Sequence, residues 1–157
     1  MNHKLALLTT LTFSAIAAPA AAQAQTIPDY YVGAGVRAGF NDSTSFVLDS
    51  KAKVFDFDNI AGGTIGSVSV RPSVVFDSST ELRIPVSVDF ILTENFYPYA
   101  GAGIAYNADG RSAVDAMITG GLDWSVARNV VLDLNASVLF KPGNTDTELT
   151  ATVNYAF

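Results

Sequence analysis

The chain has no cysteine, and its one histidine is His3, close to the N-terminus. The absence of cysteine excludes a disulfide scaffold and thiol chemistry. Zinc sites of the usual kind need Cys or His ligands, so they are excluded for everything after residue 3. Catalysis that depends on a histidine as base or as nucleophile activator is excluded on the same ground.

Long hydrophobic runs and basic residues are also scarce. After the first two dozen residues no stretch approaches twenty consecutive apolar residues, so nothing there can cross a membrane as a helix. Nine Lys and Arg stand against fifteen Asp and Glu, and this acidic balance argues against binding of nucleic acid or of anionic lipid surfaces. Yet 49% of the residues are hydrophobic, and they must be buried or must face lipid.

The N-terminus has the organisation of an export signal. Lys4 is followed by an apolar core from Leu5 to Ala18 and then by small residues. Two A-x-A sites place the cleavage after Ala22 or Ala24, and the second is favoured because it leads into a polar start. We therefore expect residues 1–24 to be a removed signal peptide and residues 25–157 to form one domain of 133 residues. Because only Lys4 is lost, the net charge becomes −7.

The mature sequence alternates with a period of two, in segments of about ten residues separated by turn-forming residues, as in transmembrane barrel strands. No helix of normal length fits. The eight predicted strands are Tyr30–Phe40, Phe46–Phe55, Ser67–Phe76, Glu81–Phe90, Tyr97–Tyr106, Val114–Trp124, Val130–Phe140 and Leu149–Phe157. The turns between them include Asn41 to Thr44, Asp56 to Gly63, Asp109-Gly110 and Lys141 to Asn144.

The charges fall on one face of the predicted strands. The uncharged face carries Val32, Ala34, Val36, Leu48, Val54, Val68, Val70, Leu82, Ile84, Val86, Val88, Ile104, Ile118, Leu122, Leu132, Leu134 and Val138. The opposite face carries Arg37, Asp49, Lys51, Lys53, Arg71, Glu81, Arg83, Asp89, Asp115, Asp123 and Asp133. A soluble barrel also alternates, with its apolar face inside, so alternation alone does not choose between the two environments.

The aromatic residues favour the membrane, because they gather at strand ends as two interfacial girdles would require. One predicted rim has Phe40, Phe46, Phe76, Tyr106 and Phe140, and the other has Tyr30, Phe90, Tyr97, Trp124, Tyr155 and Phe157. The sequence therefore predicts an all-β, eight-stranded, antiparallel up-and-down transmembrane barrel.

Three segments resemble the small outer-membrane barrels of the OmpA and opacity-protein type. They are the first strand Tyr31 to Val36, the fifth strand Tyr97 to Ile104 and the terminal Tyr155-Ala156-Phe157. The resemblance implies a location in the outer membrane of a Gram-negative cell, with both termini on the periplasmic side. The segments 41–45, 77–80, 107–113 and 141–148 would then face outward, and they are short for adhesion loops.

The same resemblance implies partners and an assembly signal. Val153, Tyr155 and Phe157 would form the signal read by the barrel-assembly machinery, after delivery by periplasmic chaperones, and the barrel would contact outer-membrane lipid and lipopolysaccharide. Barrel enzymes of this membrane resemble one another in using a histidine beside a serine or aspartate. Without such a histidine we expect no enzyme activity.

The inward charges are nearly balanced, five positive against six negative. An eight-stranded barrel is only wide enough to be filled by its own side chains, so unpaired charges would be desolvated at several kcal/mol each. We expect a paired, partly hydrated network that closes the lumen around Arg71, Arg83 and Asp89. The predicted function is structural. A narrow porin-like passage for small ions and a soluble periplasmic lipocalin-like barrel remain alternatives.

Two other patterns have plainer interpretations. Gly33 to Ala38 fits a G-x-G-x-x-A dinucleotide fingerprint, but a following helix is missing, so no cofactor is expected. The inward glycines Gly33, Gly35, Gly101 and Gly103 are expected to make room for Arg or Tyr side chains from facing strands. Asp115 and Asp123 could suggest acid–base chemistry, but we interpret them as members of the charge network.

Overall fold

A computed structural model describes residues 27–40, 44–108 and 113–157. The predicted signal peptide, most of the turn at residues 41–44 and the Asp109-Gly110 turn lie outside these residues. Within the described part, strands account for nearly all regular structure, and no helix long and apolar enough to cross a membrane is present.

The strands form one closed antiparallel sheet. They are β1 (Tyr30–Gly39), β2 (Thr44–Asp58), β3 (Thr64–Val70), β4 (Ser73–Phe76), β5 (Thr80–Phe90), β6 (Phe96–Asn107), β7 (Val114–Ala127), β8 (Val130–Lys141) and β9 (Asn144–Ala156). Strands that follow one another in the chain pair side by side, except that β3 and β4 both lie between β2 and β5, and β9 closes the barrel by pairing with β1. We call the end where β1 begins and β9 ends the terminus side, and the opposite end the loop side.

The third predicted strand appears as two, β3 and β4, because the ladder is interrupted at Arg71-Pro72. The register is the same on both sides, since Val70 lies opposite Val86 and Ser73 lies opposite Arg83. Proline has no N–H to donate, which accounts for the interruption. The ring therefore has eight positions, and the predicted eight-stranded up-and-down barrel is confirmed.

The stagger of the strands sets the width of the barrel. The pairing row that starts at Tyr30 passes through Ala52, Val70, Val86, Ala102, Ile118, Val138 and Thr147 and returns to β1 at Phe40. The row thus returns ten residues further along β1. With eight strands, such a stagger corresponds to a strand tilt of about 40° and to an interior that side chains fill.

Several predicted boundaries were wrong: β3 begins at Thr64 and β7 ends at Ala127, each three residues beyond its prediction, and two further boundaries have a clear cause. β2 runs to Asp58 through a bulge between Lys53 and Phe55, where a turn from Asp56 was predicted. β9 begins at Asn144, five residues before the predicted Leu149, because a tight turn at Pro142-Gly143 suffices. Gly143 has φ of 80°, a conformation that glycine adopts without strain. Both strands are therefore longer than alternation alone indicated.

The uncharged face points outward, and none of its predicted members is buried. Aromatic side chains stand exposed or half-exposed at both ends, including the stacked pairs Tyr30–Phe157 and Phe96–Trp124, with ring centroids 6.2 and 5.5 Å apart. From Tyr30 to Phe40 the ten-residue rise gives about 25 Å along the barrel axis. That spacing matches the lipid-facing band of transmembrane barrels.

Tyr97 does not belong to the terminus-side girdle. Its side chain is 0% exposed, and its hydroxyl donates to the carbonyl of Glu94 at 2.5 Å. It lies opposite Asp123, whose side chain faces the lumen, and Phe96 takes the outward position against Trp124. The aromatic character of the strand end was correctly predicted, but the side chain assigned to the girdle was wrong by one residue.

The inward glycines have a different role from the predicted one. A Cβ on Gly33 would collide with the carbonyl of Val153, and one on Gly103 with backbone atoms of Ile84 and Pro85. The crowding thus comes from the backbone of the adjacent strand, not from facing Arg or Tyr side chains. The glycine that does make room for a tyrosine is Gly121, whose Cβ would lie 2.7 Å from the Tyr99 hydroxyl.

Candidate functional site

The interior of the barrel is the candidate site, because the charged side chains converge there. The predicted network residues Arg37, Lys51, Arg71, Glu81, Arg83, Asp89, Asp115, Asp123 and Asp133 are all buried, and Asp49 and Lys53 are half-buried. They do not form one network. The structure divides most of them between two ionic clusters, one on each side of the barrel.

The terminus-side cluster consists of Tyr31, Lys51, Arg71, Asp89 and Asp123. The Arg71 Nη2 lies 2.8 Å from a carboxylate oxygen of Asp89 and 2.8 Å from one of Asp123. The Lys51 Nζ bridges the same two carboxylates at 3.0 and 3.2 Å. Arg71 also donates to the Tyr31 hydroxyl at 2.6 Å, and that hydroxyl donates to Asp123 at 3.1 Å. Two cations thus neutralise two anions in a closed arrangement.

Hydroxyl groups complete the coordination of Asp89. Ser69 and Ser87 donate to its two oxygens at 2.5 and 2.8 Å, and Ser67 contributes a weaker bond at 3.3 Å. Arg71 donates to the Ser87 hydroxyl at 2.9 Å. The alternation of small polar residues on β3 and β5 places these donors around one carboxylate, so its burial leaves little hydrogen-bonding capacity unused.

Tyr99 links the terminus-side cluster to the middle of the lumen. The Arg71 guanidinium carbon lies 3.5 Å from the centre of the Tyr99 ring, which is a cation–π contact. The Tyr99 hydroxyl donates to Asp133 at 2.7 Å, and the Asn135 amide donates to the same carboxylate at 2.8 Å. These contacts hold the Arg71 side chain across the width of the barrel.

The loop-side cluster consists of Arg37, Asp77, Glu81, Arg83 and Glu148. Glu148 is 0% exposed and forms ion pairs with both arginines. Arg83 also bonds to Glu81 at 2.6 Å, and Arg37 reaches the partly exposed Asp77 at 3.5 Å. The carboxylate at the centre of this cluster was missed, because the predicted strand began one residue later. Extending the alternation back from Thr150 would have placed Glu148 and Asp146 on the inner face.

One predicted association does not occur. Arg71 and Asp89 are paired as expected, but Arg83 pairs with Glu81 and Glu148 in the other cluster. Asp123 belongs to the terminus-side cluster, and the buried Asp115 is eight residues away on β7, about 26 Å along the strand, so the two do not form an acid–base pair. Lys53 lies at the terminus-side mouth, where it pairs with Asp29 and with Asp56.

Between the two clusters lies a small cavity of about 30 Å³. Asp49, Asp133 and Asn135 line it, together with the arginines Arg71 and Arg83 from the two sides. Among the described residues, Asp49 and Asp133 form no ion pair, and Asp49 accepts one bond, from Thr152 at 3.4 Å. A cavity of this size holds one or two water molecules. The middle of the lumen is therefore polar, narrow and acidic.

The described residues include no group of three or more His, Asp or Glu side chains that could hold a metal ion. The segment with the dinucleotide-like spacing, Gly33 to Ala38, lies wholly within β1. A nucleotide loop needs a turn into a helix at that point, so the strand assignment removes this interpretation. The arrangement offers ion pairing and hydration in a narrow lumen.

The fold is shared with transmembrane β-barrels of known structure. A de novo designed transmembrane β-barrel superimposes with a TM-score of 0.62 and 16% identity, covering 85% of this chain and 99% of that chain. The Yersinia pestis outer membrane protein Ail, in a phospholipid bilayer nanodisc, gives 0.57 and 12%, covering 83% and 100%. The outer membrane enzyme PagL gives 0.56 and 13%, covering 81% and 99%.

Comparisons with protein-family models and with curated protein sequences found no match. The expected similarity to small eight-stranded outer-membrane barrels is confirmed as a similarity of fold. The three barrels named differ in origin and in role, and at this level of identity they carry no activity over to this chain.

Proposed function

We propose that this chain is an integral outer-membrane β-barrel with a structural role in the cell envelope and with a lumen closed by its own ion pairs. The observation that carries the proposal is the distribution of polarity: the band between the two aromatic girdles is apolar outside, whereas the interior holds two ionic clusters. A lipid-spanning barrel needs this arrangement, because its backbone is satisfied only by closure and its outer face meets hydrocarbon.

The closed lumen follows from the cost of opening either cluster. Breaking a buried ion pair by separating its partners costs about 3 to 5 kcal/mol. Arg71 and Lys51 each contact both Asp89 and Asp123, so an ion passing this level must displace several contacts at once. We therefore propose that the unmodified barrel conducts far less than a wide porin.

Export, location and assembly belong to the same proposal. The signal peptide at residues 1–24 would direct export, and outer-membrane lipid, lipopolysaccharide, periplasmic chaperones and the assembly machinery would be the partners. Val153 and Tyr155 on β9, and Phe157 directly after it, are exposed on the outer face, where a receptor could contact them. Deleting Phe157 should lower the yield of folded protein in cells and leave refolding into detergent largely intact. Equal losses would mean that Phe157 acts through packing.

We also propose that the barrel has no enzyme activity. The residues after His3 contain no histidine or cysteine, and the inward carboxylates are mostly committed to ion pairs or hydrogen bonds. Serine hydroxyls do meet a carboxylate at Asp89, but that carboxylate is paired with Lys51 and Arg71, which lowers its ability to act as the activating base that covalent catalysis requires.

A narrow passage for small ions is the second candidate function. It is favoured by the central cavity, where the carboxyl groups of Asp49 and Asp133 lie beside space for water. The lipocalin-like alternative requires an apolar interior. Among the described residues of this chain, most of the buried side chains are polar or charged. The observed polarity therefore argues against a soluble binding barrel.

Two measurements test the proposal. Membrane fractionation combined with gel mobility before and after boiling should place the protein in the outer membrane, in a detergent-resistant form whose mobility shifts on heating. Recovery in the soluble periplasmic fraction without detergent would contradict membrane location. Planar-bilayer recording should give currents far below those of wide porins, and large steady currents would favour the second candidate.

A further inference from the structure

One part of the barrel extends beyond the terminus-side girdle. Tyr30, the first residue of β1, lies opposite Ala52, and β2 continues for six more residues to Asp58 before it turns into β3. Six residues of strand span about 20 Å, or about 15 Å along the axis at a 40° tilt. We call residues 53–66 the projecting hairpin, because it reaches past the level where β1 begins.

The outer face of this hairpin stays apolar beyond the girdle. Phe55 lies opposite Val68, and Phe57 lies opposite Gly66, which itself pairs with Phe90 of the girdle. The Phe57 ring covers Gly66 and contacts Phe90 edge-on at a centroid distance of 6.1 Å. Phe55, Ile65 and Phe90 are 55%, 45% and 48% exposed. The hairpin thus carries an exposed apolar surface, continuous with the outward-facing band.

The opposite face of the hairpin is polar. Asp56 lies opposite the buried Ser67, and it accepts a bond from Lys53 at 2.9 Å. Asp58 accepts a bond from the Thr64 hydroxyl at 2.8 Å. The hairpin is therefore amphipathic in the same sense as the barrel wall, with its apolar face outward.

The edge of β2 is poorly suited to pairing with a strand from another protein. Beyond Ala52, the described residues that precede β1 make one backbone hydrogen bond to the edge of β2. In it the Lys53 N–H donates to the Asp29 carbonyl at 2.7 Å. The segment that follows has irregularities between Lys53 and Phe55 and between Phe57 and Asp58, and acidic side chains stand along it. Bulges and charges are devices that block strand addition at an edge.

We propose that the projecting hairpin is an interfacial anchor, whose aromatic face lies in the headgroup layer of the membrane leaflet on the terminus side. The polar layer on each side of the hydrocarbon core is about 5 to 8 Å thick. Because of the bulge, Phe55 pairs with Val68, two ladder positions past the Ala52–Val70 pair, and Phe57 pairs with Gly66, four positions past it. These positions lie about 5 and 10 Å further along the axis, so the two rings bracket that layer. Girdles of aromatic residues flank the apolar band of transmembrane barrels at this depth. The anchor fixes how deep and at what rotation the barrel sits.

The inference rests on the proposed membrane location, and its test separates the two. Because the chain has no cysteine, single cysteines at positions 55, 56 and 134 can each carry a nitroxide in the mature protein refolded into phosphatidylcholine vesicles. Accessibility to oxygen and to a water-soluble nickel complex then reports depth. We expect Leu134→Cys to be deep and Phe55→Cys to favour oxygen several-fold over Asp56→Cys, its matched neighbour on the polar face.

Each outcome has one meaning. Water-like accessibility at both 55 and 56, with 134 still in lipid, would overturn the anchor and leave the hairpin free for a protein partner. Water-like accessibility at 134 would overturn the proposed function itself, and the anchor with it. If Phe55→Cys does not give the heat-shifted folded form, Ile65→Cys is the second reporter, because Ile65 lies in the hairpin itself and is 45% exposed, and the same preference for oxygen is expected there.

Discussion

The two ionic clusters close the same lumen by different means. On the terminus side, Arg71 and Lys51 each contact both carboxylates, and serine and tyrosine hydroxyls surround them. On the loop side, one carboxylate, Glu148, serves two arginines, and part of the compensation comes from the partly exposed Asp77. In the first cluster each cation contacts both anions, whereas in the second Glu148 alone contacts both cations.

This difference predicts different failures. In the terminus-side cluster the side chains of Lys51, Asp89 and Asp123 are fully buried, so the loss of one cation leaves buried anions with less compensation. In the loop-side cluster, the arginines would still contact Asp77, Glu81 and solvent at the mouth of the barrel if Glu148 were lost. We therefore expect damage to the first to appear mainly as lost stability and damage to the second mainly as increased permeability.

Arg71→Ala should have the largest effect. Asp89 and Asp123 would keep only Lys51, and removing one partner of a buried ion pair costs about 3 to 5 kcal/mol. The free energy of unfolding, measured by urea titration in vesicles, should fall by that amount. Arg71→Lys is the control, because it keeps the charge but loses the planar contact with Tyr99, and it should lose less. A loss below about 1 kcal/mol in Arg71→Ala would contradict the account.

The next test concerns the outward face of the barrel wall. The roles given to both clusters require that this wall separates lipid from the lumen. Leu134→Lys places an ammonium near the middle of the band and should cost about 2 to 4 kcal/mol in vesicles. Asn135→Lys adds a cation beside Asp133 and should cost much less. The comparison of the two unfolding free energies checks the register, and equal costs would be inconsistent with it.

Glu148→Gln should lower the free energy of unfolding by about 1 to 3 kcal/mol, which is less than the loss expected for Arg71→Ala. It should also raise single-channel conductance. The reason is that Arg37 and Arg83 lose their shared carboxylate but keep Asp77 and Glu81. Asp146→Asn is a matched control on the same strand, because it breaks the more exposed pair with Lys141 and should cost about 1 kcal/mol or less. Unchanged conductance in Glu148→Gln would show that the terminus-side cluster alone closes the lumen.

Asp49→Asn should have the smallest effect, and of the opposite sign. Asp49 has no ion-pair partner among the described residues and shares the cavity with Asp133, so an amide replaces a buried carboxyl group that no cation neutralises. We expect a gain of up to about 1 kcal/mol in unfolding free energy at neutral pH. Asp89→Asn removes a carboxylate that is ion-paired and should clearly lower the free energy of unfolding. A gain in unfolding free energy at Asp89 as well would refute the distinction between paired and unpaired carboxyl groups.

Alternation predicted the faces of the barrel because a strand turns every second side chain to the same side. It failed where the alternation is broken or cut short. The bulge before Phe55 hid the continuation of β2 to Asp58, and the compact turn at Pro142-Gly143 hid the start of β9 and with it Glu148. The assignment of each cation to its carboxylate depends on the ten-residue stagger, a property of the closed ring that no single strand contains.

Position 134 is expected to meet lipid, whereas position 135 is expected to meet a filled lumen. Single cysteines at the two positions test this arrangement directly. Leu134 is 55% exposed on the outer face, and Asn135 is half-buried beside the Asp133 carboxylate. We predict that Asn135→Cys reacts slowly with a bulky charged thiol reagent, whereas Leu134→Cys reacts with an apolar, lipid-soluble one. Rapid labelling of residue 135 by the charged reagent, with residue 134 protected, would contradict the claim and would indicate a soluble barrel or an open pore.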